Sequence, residues 1–325
     1  MRRLAALAIA LPLLLATGGC TGERAPAAPA PGTVRPEPSA TATPTPGAAA
    51  ARTAPSEPYA VGVRTLRLNR DGSRPLRVTI WYPAAGPAGN GIRREAPAAD
   101  GRFPIVVFSH GLGGLPGDYE RLLRRWAAAG FAVAAPAYPH TSRGTASFRV
   151  LDVINQPADA SYVLTQVLAL DGKAGDPLRG RLDAGRVGAA GHSAGGITTL
   201  GMFTLGRDER LDAGIVLAGS SLGVAGSYRG PAAPILFVHG KRDEVVSYAS
   251  GKAAYDSVPW PKALLTLPDA GHTGALLRDG DPEFRVIMDA TIEFLRWSLY
   301  GDPAAKRRLP QGARAGGVAT FDNRL

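Results

Sequence analysis

Ser193 stands in Gly191-His192-Ser193-Ala194-Gly195, a G-x-S-x-G match entered through small apolar residues from Val187 and left through an apolar segment. That pattern suits a serine on a strained strand-to-helix turn, where glycine two positions to either side lets neighbouring backbone pass close by. The amide of Ala194, first in the following helix, points where an oxyanion would form. A serine hydroxyl attacks only with a base in hydrogen-bond reach and a group that orients the base. Two later loops offer them. Asp243 follows the apolar run Ile235–Val238 within His239-Gly240-Lys241-Arg242-Asp243, and His272 follows Leu264–Leu267 within Gly271-His272-Thr273-Gly274. Such a set performs acyl transfer through a covalent intermediate on the serine, with no metal or cofactor required.

Other residues compete for these parts. Glu244 and Asp269 are alternatives to Asp243 as the acid, and Asp269 lies only three residues before His272. His110, His192 and His239 neighbour tight turns and read as structural, since no His-Glu-x-x-His or comparable metal spacing occurs. His140 and Tyr138 follow a further apolar run and are candidates for substrate binding, with loop packing as the competing reading.

The elements that would position these residues follow from periodicity. Val61–Leu68 and Leu76–Tyr82 alternate apolar and polar residues and predict paired strands joined by a turn over 69–73. Pro104–Phe108, Phe131–Ala135, Val187–Ala190, Ala213–Ala218 and Ile235–Val238 are instead short continuous apolar runs, as in parallel strands covered on both faces. Amphipathic stretches alternate with them: Tyr119–Ala129 ending at Gly130, Pro157–Leu170, and Phe284–Leu299. The alternation predicts an α/β fold with a mostly parallel sheet and helices on both faces. Asp243 and His272 would then sit in loops past the carboxyl ends of strands, where open α/β sheets build their sites.

The chain resembles the α/β-hydrolases over about residues 59–300, through Phe108-Ser-His-Gly-Leu-Gly-Gly114, Gly191-His-Ser-Ala-Gly-Gly196, His239-Gly-Lys-Arg-Asp243 and Gly271-His272. The order Ser193, Asp243, His272 is that superfamily's order. It is most similar to the branch of platelet-activating-factor acetylhydrolases, chlorophyllases, dienelactone-hydrolase-like proteins and bacterial polyester hydrolases. Dienelactone hydrolases proper use cysteine where this chain has Ser193, which favours ordinary ester chemistry. The resemblance implies an α/β-hydrolase fold without a large cap domain. It also implies a second oxyanion donor on the Leu112 amide, facing that of Ala194, and a small-molecule or polymeric ester as substrate.

The rest of the chain bears on location. Residues 1–20 join a basic start, an apolar run and Thr17-Gly18-Gly19-Cys20, with Cys20 the only cysteine of the 325 residues. This reads as an export signal whose end resembles a bacterial lipobox, with Thr17 where leucine or a similar residue is usual. The resemblance implies lipidation of Cys20 and an exported, membrane-anchored or secreted protein. Residues 21–58, rich in Pro, Ala and Thr, lack large apolar side chains and read as a disordered linker, and residues 301–325 read as a basic, flexible tail. The formal charge of +10 comes largely from scattered arginines, with none of the interleaved aromatics of a nucleic-acid surface. The expected activity is that of an exported carboxylesterase, short-chain lipase or acetylhydrolase. Two alternatives stay open: an acyltransferase acting on cell-envelope alcohols, and a non-catalytic binding protein on a hydrolase fold.

Overall fold

The continuous apolar runs form the middle of one sheet in the computed structural model, which describes residues 53–89, 91–222, 228–277 and 281–325. The signal-like segment 1–20 with Cys20, and most of the linker 21–58, lie outside the described residues. Strands β1 (Ala60–Arg70) and β2 (Arg74–Ala84) form the expected antiparallel pair. They turn at Asp71 and Gly72, both at positive φ, as Asp-Gly hairpin turns require. Strand β3 (Ile92–Arg94) pairs parallel with β1. Strands β4 (Phe103–Ser109), β5 (Ala132–Ala137), β6 (Leu182–His192), β7 (Leu211–Leu217), β8 (Ile235–Gly240) and β9 (Lys262–Leu267) are mutually parallel, with β2 antiparallel to β5. Strand β10 (Thr320–Arg324) pairs antiparallel with β9, giving the order β10-β9-β8-β7-β6-β4-β5-β2-β1-β3.

Successive residues of the central strands enter different cores, as a two-residue period dictates. On one face Val106, Phe108, Val133 and Leu265 pack against α1 (Glu120–Ala128), α5 (Gly274–Leu277) and α6 (Pro282–Leu295). On the other, Ile105, Val107, Val187 and Ile235 pack against α2 (Gln156–Leu168), α3 (Ala194–Gly201) and α4 (Tyr248–Ser257). Trp126 of α1 shows how the layers lock. It packs edge-on against Phe108 and donates its indole N–H to Thr291 of α6 at 3.1 Å. Burial of a side chain that large removes it from water for a gain of about 3 kcal/mol, and the hydrogen bond fixes the angle.

Buried polar groups tie the hairpin to the parallel half. Arg74 of β2 forks onto Asp152 (2.9 and 2.7 Å) and Asp159 (2.8 Å), whose carboxylates hold the guanidinium well above its ordinary pKa. Asp159 is fully buried in α2 and also lies 3.1 Å from Arg70, so two guanidinium groups of the hairpin balance its charge and removing Arg74 would leave one of them. A second chain runs from Thr141 through Gln156 to Thr198 (2.7 and 2.5 Å), joining the loop after β5 to α3.

The C-terminal residues differ from expectation. The predicted flexible tail forms α7 (Pro303–Gly312) and β10, with Ala305, Leu309, Ala313 and Phe321 buried. Its basic residues have partners: Arg308 pairs with Glu293 at 2.7 Å, and Lys306 lies 4.5 Å above the Trp297 ring. An Arg-rich composition hides the few apolar residues that dock it. At the other end Ala54 is already buried and Pro55 accepts from Arg296 at 3.0 Å, so packing begins before residue 59.

Candidate active site

The chain leaves β6 and enters α3 in a single residue. Ser193 makes that turn at φ +57°, ψ −119°, a conformation that costs a non-glycine residue roughly 1–3 kcal/mol. Surrounding contacts enforce it. Ser193 donates its amide to Leu217 at 2.9 Å, and its carbonyl accepts from Gly196 at 2.9 Å. The two motif glycines are required by close backbone approach: a Cβ on Gly191 would meet the Gly195 carbonyl, and one on Gly195 the Ser109 carbonyl.

Asp243 and His272 come together across the carboxyl ends of β8 and β9. Nδ1 of His272 donates to Oδ2 of Asp243 at 2.8 Å, a tautomer that leaves Nε2 as the acceptor nitrogen. Oδ1 of Asp243 accepts from the amides of Val245 (2.9 Å) and Val246 (2.8 Å), which lock the carboxylate beneath the ring. The rival acids are elsewhere. Glu244 is exposed, and Asp269 pairs with Arg242 at 2.6 Å on the exposed surface.

Ser193 and His272 line one open cleft of about 470 Å³ together with His192, Thr273 and the Gly111–Gly114 loop. That loop follows β4, whose Ser109 is in register with Gly191 of β6, so the two turns stand side by side at the point where the strand order reverses. Gly111 donates to Tyr119 Oη (3.1 Å), Gly113 to Thr141 O (2.8 Å) and Gly114 to Gly111 O (2.9 Å). Among the described residues, the Leu112 amide is the one in this loop without a protein acceptor. The Ala194 amide opens α3 and has no helix carbonyl behind it.

Three buried histidines brace the loops. His110 donates from Nδ1 to Gly111 O (2.8 Å) and accepts at Nε2 from the Tyr138 amide (3.2 Å) and Ser142 Oγ (3.0 Å). His239 donates to Val246 O at 2.9 Å. His192 donates from Nε2 to the His272 carbonyl (2.9 Å) and accepts at Nδ1 from Tyr119 Oη (2.8 Å). Burial depresses all three, His192 to about 4, so the rings are neutral near pH 7. Sequence reasoning missed Tyr119, whose hydroxyl spans the Gly111 loop and His192. It also missed Arg143 and Asp118 in the cleft wall, paired at 2.8 Å. No motif marks a contact between residues so far apart in the chain.

Two expected substrate contacts are corrected. Tyr138 is buried, its hydroxyl bonded to Ser109 Oγ at 2.8 Å, so it packs beneath the cleft. His140 is held by Ser147, with Nδ1 2.8 Å from Oγ, and it too belongs to loop packing outside the cleft lining. The residue after β5 that does reach the cleft is Arg143.

The mostly parallel sheet with helices on both faces and the strained serine between β6 and α3 make up the α/β-hydrolase fold. Residues 88–159 match the family model described as platelet-activating factor acetylhydrolase, isoform II, which supports an esterase- or acetylhydrolase-like hydrolase. The matched stretch contains the Gly111–Gly114 loop, while Ser193, Asp243 and His272 lie beyond it. No curated protein matches the chain.

Proposed function

We propose that the protein hydrolyses carboxylic esters with Ser193 as nucleophile, His272 as general base and acid, and Asp243 as the group that orients the histidine. The observation that carries this reading is the 2.8 Å Asp243–His272 hydrogen bond beside Ser193, held at φ +57° in the same cleft. Oγ of Ser193 attacks the ester carbonyl carbon while Nε2 of His272 takes its proton. The new oxyanion accepts from the amides of Leu112 and Ala194, each donor being worth about 3 kcal/mol in such sites. The C–O bond to the alcohol then breaks and His272 returns the proton to the departing oxygen, leaving an acyl-serine. Water attacks that carbonyl, gives its proton to His272, and the acid leaves as Ser193 is reprotonated.

The name of the matched family points to an acetyl ester, and an open cleft suits short acyl groups or an extended polymeric ester. We place the enzyme outside the cytoplasm, tethered through lipidated Cys20, with Cys20→Ala expected to release it from membranes. Labelling of the purified chain by a fluorophosphonate tests the central assignment. Wild type should label and Ser193→Ala should not; a folded wild type that stays unlabelled would reject the nucleophile and favour a binding protein.

A further inference from the structure

A groove of about 490 Å³ lies on the β1–β2 hairpin beside the cleft, and the two share Asp118 and Arg143 as a common wall. Thr65, Arg77, Thr79, Trp81 and Arg94 line it. Four of these come from alternate positions of β1 and β2, so the sheet presents them on one face. The indole N–H of Trp81 is buried and has no acceptor among the described residues. Among the described residues, Arg77 and Arg94 have no carboxylate within ion-pair distance, and Arg67 stands directly opposite Arg77 across the antiparallel ladder. Like charges directly opposite one another destabilise a strand pair, and a bound anion would relieve that repulsion. Two carboxylates also line the groove. Asp118 is neutralised by Arg143 at 2.8 Å, leaving Glu120 as the opposing charge.

We propose that this groove is a subsite for an oxyanion, a sulfonate, phosphate or carboxylate on the alcohol portion of the substrate, held by Arg77 and Arg94 while the acyl group reaches Ser193. The inference rests on the ester-hydrolase reading above and names its substrate class: esters of anionic alcohols. Guanidinium groups recognise oxyanions through paired N–H donors, and the threonine hydroxyls add neutral donors of the same polarity. An anion there would anchor the leaving alcohol through binding energy remote from the reacting carbonyl.

Two readouts test this. The first compares kcat/KM for the acetyl esters of 4-hydroxybenzenesulfonate and 6-hydroxynaphthalene-2-sulfonate with those of their neutral methyl sulfones. Arg77→Gln/Arg94→Gln should lower turnover of at least one sulfonate by about tenfold or more and leave the sulfones within about twofold. Glu120→Gln should act in the opposite sense and lower KM for the sulfonate. Arg179→Gln/Arg307→Gln, an equal change of net charge outside the groove, should change neither. The second readout needs no turnover: naphthalene-2-sulfonate is titrated by its fluorescence into Ser193→Ala protein with and without the groove substitutions. Weaker binding in the arginine double variant supports the subsite. Equal binding and equal sulfonate-to-sulfone ratios in all variants overturn it. Absence of any Ser193-dependent hydrolysis would overturn the hydrolase reading alone, since the binding arm still reports on the groove.

Discussion

The hydroxyl of Tyr119 donates to Nδ1 of His192 at 2.8 Å while accepting from the Gly111 amide at 3.1 Å. Because His192 also donates to the His272 carbonyl, one phenol connects the Gly111–Gly114 loop to the loop that carries His272. The connection runs through the neighbour of Ser193, so three loops from different strands share one network. Burial pushes the Tyr119 phenol up to about 12, which keeps it a donor at every working pH.

Removing that hydroxyl should loosen the site without unfolding it. Tyr119→Phe is expected to lower kcat/KM for a p-nitrophenyl acetyl ester by about tenfold, the worth of one lost hydrogen bond with a buried amide left unpaired. Circular dichroism should be unchanged. Wild-type kinetics in the variant would show that Tyr119 only fills space.

The acid assignment separates cleanly by substitution. Asp243→Asn keeps the size of the side chain but leaves His272 free to take the wrong tautomer, and kcat should fall by about 10³- to 10⁴-fold. Asp269→Asn should cost almost nothing, because that carboxylate pairs with Arg242 on the surface. A reversal of these two effects in steady-state kinetics would move the acid to Asp269.

Acid should unfold the protein through its buried histidines. A histidine depressed in the folded state takes up its proton more readily in the unfolded chain. Its contribution is therefore complete above the ordinary value of 6.5 and is lost as pH falls through that value toward about 4, the value to which burial lowers His192. For His192 alone the loss is on the order of 3 kcal/mol across that interval, and His110 and His239 act in the same direction. Urea midpoints measured from about pH 7.5 to about 4.5 should fall steadily, and His192→Gln should flatten the slope. A flat profile in wild type would contradict neutral burial.

The elbow should tolerate no added carbon. Gly195→Ala places a methyl group against the Ser109 carbonyl, where Ser109 is fixed by the sheet and Gly195 by the first turn of α3. We expect a loss of about 3 kcal/mol, seen as a Tm lower by about 10 °C, together with loss of fluorophosphonate labelling. Gly172→Ala, where an added Cβ would meet only open space, is the control and should leave both unchanged.

How much of this was legible depends on the range of the interaction. The continuous runs at β4 through β8 announce strands covered on both faces, because burial of both faces removes the polar alternation. Ser193, Asp243 and His272 were legible because each follows such a run at a strand's carboxyl end. Tyr119 was not, since its partner lies 73 residues away and a buried tyrosine in an amphipathic helix looks like core. Tyr138 was misread for the converse reason: its position after β5 suggested the cleft, and only the contact with Ser109 shows that it points inward. Residues 301–325 were misread through composition, because arginines that bind carboxylates and aromatic faces look like arginines that meet water.

Strand β10 gives the sheet a late closing step. During synthesis β4 through β8, and with them the turn at Ser193, can assemble while residues 320–324 are still inside the ribosome. β9 can pair with β8, yet its outer row of backbone groups stays open until β10 arrives. The loop bearing His272 extends directly from β9, so His272 is the last of the three candidate residues to gain a fully paired scaffold. A nascent chain stalled short of residue 320 would carry His272 beside an aggregation-prone edge while Ser193 already stood in the middle of the sheet, and quality control would meet it as an incomplete fold rather than a slow one.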